Sequence, residues 1–186
     1  MTDDRLPPGL PVPTDDGAAD HLPGSPMPGL RLTSTDGRTV GLDESRPGRT
    51  VLYLYPRTGR PEQDDPPGWD EIPGARGCTP EACGFRDHHE ELRTAGASRM
   101  FGLSSQDTAD QREAVDRLGL PFALLSDPEL ELAAAMQLPT FTTDNSERLY
   151  KRLTMVLSDG AVEHVFYPVF PPDEHADEVL AWLRAR

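Results

Sequence analysis

The sequence predicts an α/β chain, a mixed central β-sheet with helices packed on it in a three-layer sandwich. Three observations predict it. Short β-prone runs alternate with amphipathic helical segments, which is the pattern of a sheet covered by helices. Two of the runs double back through Asp-Gly turns, as antiparallel hairpins do. A third, TVLYLYP (50–56), is a short continuous β-prone run, as expected for a strand buried on both faces. A length of 186 residues suits one domain with a sizeable core.

The elements follow in order. Residues 1–23 are rich in Pro, Asp and Gly and poor in large apolar groups, so they read as a mobile tail preceding a domain over 24–186. LRLTSTDGRTVGL (30–42) alternates, turns at Asp36-Gly37 and alternates again, a first hairpin. The 50–56 strand is followed by a long Pro/Gly-rich loop at about 57–77, with four prolines, four glycines and Trp69. A helix then begins, with Thr79 as cap, Pro80 at its first position and Glu81 complementing the helix dipole, continuing to about Thr94 with Gly96 as the stop. ASRMFGLSS (97–105) is a strand and 107–118 a polar-faced helix. PFALLSDPE gives a short strand, with Asp127 capping and Pro128 starting the next helix. KRLTMVLSDGAVEHVFYP is a second hairpin, turning at Asp159-Gly160. The last helix begins near Asp173, with Ala176, Val179, Leu180 and Leu183 on one stripe. Periodicity does not give the strand order.

Composition narrows the function. Net charge is −14, from 32 acidic against 18 basic residues. With no basic stripe, nucleic acid is not an expected partner, and an anionic membrane surface would repel the chain. No run reaches the ~18 apolar residues of a membrane span. The N-terminus has no basic and apolar signal segment, so export is not indicated and a cytoplasmic location is expected. Two cysteines make no disulfide framework.

Those cysteines, Cys78 and Cys83, stand five apart in GCTPEACGFRD (77–87) at the start of a predicted helix. Unpaired N–H groups at a helix N-terminus favour a thiolate, and a nearby arginine lowers a thiol pKa further. On an ideal helix two Cα atoms five residues apart are about 8–9 Å apart. A disulfide needs less than ~7 Å, so the two join only if the first turn unwinds. A catalytic cycle can use such a movement. The bland alternative is two unconnected buried cysteines.

Other groups read as structural. Adjacent histidines in His88-His89-Glu90-Glu91 point in different directions on a helix and suit a solvated face, and no metal site is expected. His164 reads as structural, Trp182 as packing for the last helix and Trp69 as an anchor of its loop.

YLYPR, GCTPEACGFRDHHEEL, FGLSSQD, LLSDPE and RLTMVLSDGAVEHVF, in this order, resemble the peroxiredoxins. The chain is most similar to the peroxiredoxin Q (bacterioferritin comigratory protein) branch of the alkyl hydroperoxide reductase/thiol-specific antioxidant superfamily. The resemblance covers about 24–186 and implies a thioredoxin-like fold. It implies reduction of hydrogen peroxide and organic hydroperoxides with no metal or organic cofactor. Cys78 matches the peroxidatic cysteine and Cys83 the resolving cysteine, which form an intramolecular disulfide reduced by a thioredoxin-like dithiol. Arg152 matches the arginine that stabilises the thiolate and polarises the peroxide. A monomer or weak dimer is expected.

One departure stands out. The family carries Pro-x-x-x-Thr/Ser-x-x-Cys, but the hydroxyl position is Ala75 here. The best match for the motif proline is Pro56, 22 residues before Cys78, which implies about 15 inserted residues. The expectation is that the 57–77 loop folds outward with adjacent ends, so that Pro56 and Thr58 pack beside Cys78 and Thr58 supplies the missing hydroxyl. Thr79 is the alternative donor, and a site with no hydroxyl donor is the third. The competing function is a thioredoxin-fold redox sensor or binding protein with little turnover. A thiol-disulfide oxidoreductase is disfavoured because C-x-x-C spacing is absent.

Overall fold

The computed structural model describes residues 6–186. Nine strands and five helices are present among them. Seven strands form one mixed sheet: β1 (Arg31–Ser34), β2 (Thr39–Gly41), β3 (Arg49–Leu54), β4 (Ala97–Ser104), β5 (Ala123–Ser126), β8 (Leu153–Ser158) and β9 (Ala161–Phe166). Their order is β2-β1-β5-β4-β3-β8-β9. The parallel pairs are β3 with β4 and β4 with β5; the rest are antiparallel. Both Asp-Gly hairpins form where expected, as β1-β2 and β8-β9.

β3 is central, and alternation along it divides the core. Val51 and Tyr53 face one layer with Phe85, Leu92, Ala114, Val179, Leu180 and Leu183. These last come from α1 (Cys78–Asp87), α2 (His89–Thr94), α3 (Thr108–Leu118) and α5 (His175–Arg184). Leu52 and Leu54 face the other layer, with Leu132 and Met136 of α4 (Glu131–Met136) and Leu22 of the N-terminal segment. The α5 stripe Ala176, Val179, Leu180 and Leu183 is wholly buried. Each large apolar side chain so buried contributes about 1.5–3 kcal/mol.

Several expectations are corrected. The segment 1–23 is not a free tail over its described part: Ala19 and Leu22 are buried in the core, and His21 Nε2 lies 2.8 Å from Met136 O. The helix expected to run unbroken to Thr94 is interrupted at His88, whose φ of −95° and ψ of 6° separate α1 from α2. Thr79 does not cap α1; Gly77 is the N-cap and Cys78 the first helical residue. Gly77 has φ of 110°, and a Cβ there would lie 2.3 Å from Pro172 Cγ, so only glycine fits. Asp127 does cap α4, but through the N–H groups of Glu131 and Leu132, and Pro128 precedes the helix. The hairpin of β6 (Thr140–Thr142) and β7 (Arg148–Tyr150) was not expected; its strands are three residues each, too short for an alternating signal. No described helix is long and apolar enough to cross a membrane.

Candidate active site

Topology brings the site together. β8 runs antiparallel to β3, with Leu54 opposite Leu153. The chain leaving β3 at Tyr55-Pro56-Arg57 therefore meets the residue entering β8, Arg152. The 57–77 loop then returns, and α1 starts beside both.

Cys78 is 4% exposed. Arg152 Nη2 donates to its Sγ at 3.2 Å, the Arg57 backbone N–H also reaches it, and the thiol points at Ala75 O at 3.7 Å. Arg152 is itself buried. Its Nη1 donates to Glu81 Oε2. Its Nη2 also approaches the carbonyls of Gly74, Ala75 and Arg76 at 3.3, 3.2 and 3.4 Å. An Nη group has two hydrogens. With three carbonyls and a sulfur around it, Nη2 shares them, and a thiolate would draw the larger part.

Glu81 is a buried partner of Arg152 that sequence reasoning missed, having read it only as a helix-dipole charge. It is fully buried, with Oε1 unpartnered and Oε2 on Arg152. The signal available was its position three residues after Cys78, which places both on one helix face. Beyond it lies buried His175, whose Nε2 is 2.8 Å from Thr154 Oγ1 and whose Nδ1 is 3.0 Å from Glu178 Oε2.

The electrostatics are a contest. Burial pushes the Cys78 thiol up; Arg152 pulls it down, the Glu81 charge pushes it up again, and the net direction is upward. Burial also raises Glu81, against the pull of Arg152. Burial alone would lower Arg152, but Cys78 and Glu81 outweigh it and hold the guanidinium above its ordinary value. Arg152 therefore remains the fixed charge of the site.

Cys83 lies one and a half turns along α1, also buried, and both cysteines are thiols. Because α1 is regular from Cys78, their Cα separation is that of an ideal helix, about 8–9 Å. The structure thus places Cys78 and Arg152 together and keeps Cys83 apart.

The loop at 57–77 departs from expectation. Its ends do meet, since Arg57 and Cys78 are in contact. It does not fold outward, however. Trp69, in a 3-10 turn (Trp69–Glu71), is buried against Phe141, Ala75 and Leu149. Arg60 pairs with Asp110 on α3, and Arg76 pairs with Asp65 and Asp70. Thr58 does not offer its hydroxyl to Cys78: Oγ1 donates to Gln106 Oε1 at 3.1 Å, while Gln106 Nε2 donates to Thr58 O at 3.0 Å. Pro56 is buried and does not line the cavity over the sulfur. That cavity, about 520 Å³, is walled by the loop (Pro61, Trp69, Arg76), by Thr79 and Pro80, and by Leu6 to Pro8. Thr79 is the one candidate hydroxyl residue on its wall.

Comparison with known proteins agrees with this architecture. The redoxin family model matches residues 22–180. The chain is 34% identical over 163 residues to the chloroplastic peroxiredoxin Q of Oryza sativa subsp. japonica, covering 87% of this chain and 66% of that protein. It is 32% identical over 163 residues to the chloroplastic peroxiredoxin Q of Sedum lineare, covering 87% of this chain and 77% of that one. The chain thus spans a little under two thirds of the rice protein and about three quarters of the Sedum protein. The crystal structure of peroxidoxin BcpB from Mycobacterium tuberculosis superposes with a TM-score of 0.71 at 28% identity, covering 89% of this chain and 98% of that one. By sequence and by fold, the chain belongs to the redoxin family, in its peroxiredoxin Q branch.

Proposed function

We propose that the protein is a thiol-dependent peroxidase that reduces hydrogen peroxide and organic hydroperoxides. The observation that carries this reading is Arg152 Nη2 at 3.2 Å from a buried thiol at the first position of a helix. Cys78, as thiolate, attacks the terminal peroxide oxygen; the O–O bond breaks, Cys78 becomes a sulfenic acid, and water or alcohol leaves. Arg152 and the Arg57 N–H supply fixed donors where charge shifts from sulfur to oxygen. Glu81 holds the guanidinium in place from its other nitrogen. The first turn of α1 then unwinds, Cys83 condenses with the sulfenic acid with loss of water, and an external thioredoxin-like dithiol reduces the disulfide. A cytoplasmic setting, where such dithiols are kept reduced, suits the cycle.

The loop supports a second reading. The motif hydroxyl is lost at Ala75 and that of Thr58 is committed to Gln106, which leaves Thr79 as the one candidate on the cavity wall. A redox sensor that oxidises slowly would tolerate this loss. Peroxide consumption by the reduced protein, with a dithiol donor, separates the two. A rate well above that of free cysteine, with repeated turnover, is expected of the peroxidase; a rate no faster than free cysteine would leave the sensor.

A further inference from the structure

Residues 6–16 form a strap across the site. Leu6, Pro7 and Pro8 line the Cys78 cavity. Leu6 lies against Gly77: a Cβ on that glycine would be 2.9 Å from Leu6 Cδ2, on the side that Pro172 also covers. Farther along, Pro13 lies over Gly74, where an added Cβ would be 3.6 Å from Pro13 Cγ. The strap ends in a clasp, where Lys151 Nζ and the Tyr167 hydroxyl each donate to the Asp16 carboxylate at 2.8 Å. Between Leu6 and Asp16 no residue is fully buried, whereas Ala19 and Leu22 beyond the clasp are core. A segment held by surface contacts opens at low cost, independently of the domain.

The position matters because disulfide formation requires movement of the residues the strap covers. Cys78 and Cys83 reach bonding distance only if the first turn of α1 unwinds, which displaces Gly77 and Cys78. We propose that the strap retains Cys78 in its folded pocket, and so sets how the sulfenic acid is partitioned between two fates. This rests on the peroxidase reading. In one fate, the Cys83 thiol attacks Cys78–SOH, an S–S bond forms and water leaves. In the other, a second hydroperoxide oxidises Cys78–SOH to the sulfinic acid and is itself reduced to alcohol or water. A docked strap holds the sulfur beside the peroxide cavity and favours the second fate. A released strap favours the first.

The test uses the full chain with Asp16→Asn, which removes the charge that both donors share, and separately Tyr167→Phe, which removes one donor. Reduced protein is mixed with increasing hydrogen peroxide, disulfide formation is followed by stopped-flow fluorescence, and sulfinic acid is counted by mass spectrometry. Loss of the exposed Asp16–Lys151 ion pair, or of the Tyr167 hydrogen bond, should speed disulfide formation about two- to five-fold and lower the sulfinic fraction in proportion. Raising ionic strength should shift the wild type the same way and leave Asp16→Asn unmoved. Unchanged partition in both variants overturns the proposal. Wild-type protein that forms neither product would instead defeat the peroxidase reading, and the strap proposal with it.

Discussion

At Cys78, two opposed forces of similar kind meet. Burial favours the neutral thiol, and Arg152 favours the thiolate while sharing its charge with Glu81. Glu81→Gln keeps an acceptor for Nη1 but removes the opposing charge, so the Cys78 pKa should fall; titration of thiolate ultraviolet absorbance checks this, and an unchanged or higher pKa contradicts it. Glu81→Ala leaves Arg152 as an uncompensated buried charge and should cost about 3–5 kcal/mol of stability, read by denaturant unfolding. Arg152→Lys should slow peroxide attack by about ten-fold or more, because an ammonium cannot span Glu81, the loop carbonyls and the sulfur as the planar fork does. With the thiol pushed up, attack by the wild type should still be rising with pH at about 8.5. A rate already level at neutral pH would contradict it. The linked stability runs the other way. The folded state keeps the Cys78 proton to higher pH than the unfolded chain, so this contribution is complete below about 8.5 and is lost as pH rises through the folded value.

At the scale of elements, the loop and the N-terminal segment act as built walls. Thr58→Val should leave peroxide attack within about two-fold and cost about 1 kcal/mol of stability, since its hydroxyl bonds Gln106; a ten-fold slower attack would restore the role the motif implied. Leu22→Ala should cost about 2–5 kcal/mol in denaturant unfolding, as for a leucine in the core, whereas a mobile tail would lose nothing. Asp16 is held down to about 2, first by the Lys151 hydrogen bond and then by that of Tyr167. Its share of docking is therefore present above about pH 4 and lost as pH falls toward 2, and it is small because the carboxylate is largely exposed. Here the limits of the sequence are visible. Both hairpins, β3 and the α5 stripe were legible, because period and turn chemistry are local signals. The Thr58–Gln106 pairing, 48 residues apart, and the Glu81–Arg152 pairing, 71 apart, were not, because no local pattern encodes which charge a helix face meets.

At the scale of the molecule, the sheet order assembles the centre. β3 lies between β4 and β8, and the antiparallel β8 delivers Arg152 to the end where β3 releases Arg57 and α1 begins. Strand order was beyond periodicity, yet the cysteine block and Arg152 were recognisable from the family motifs, and the fold puts Cys78 and Arg152 in contact. The fold also holds Cys78 and Cys83 apart along α1, so the proposed roles of the two thiols are distinguishable in a single turnover. The most direct measurement is peroxide consumed per reduced protein, with intact mass of the product, for Cys83→Ser and Cys78→Ser. The account predicts that Cys83→Ser consumes its first peroxide at the wild-type rate and gains oxygen on Cys78, while Cys78→Ser consumes none above background. Loss of the first turnover in Cys83→Ser, with retention in Cys78→Ser, would contradict it.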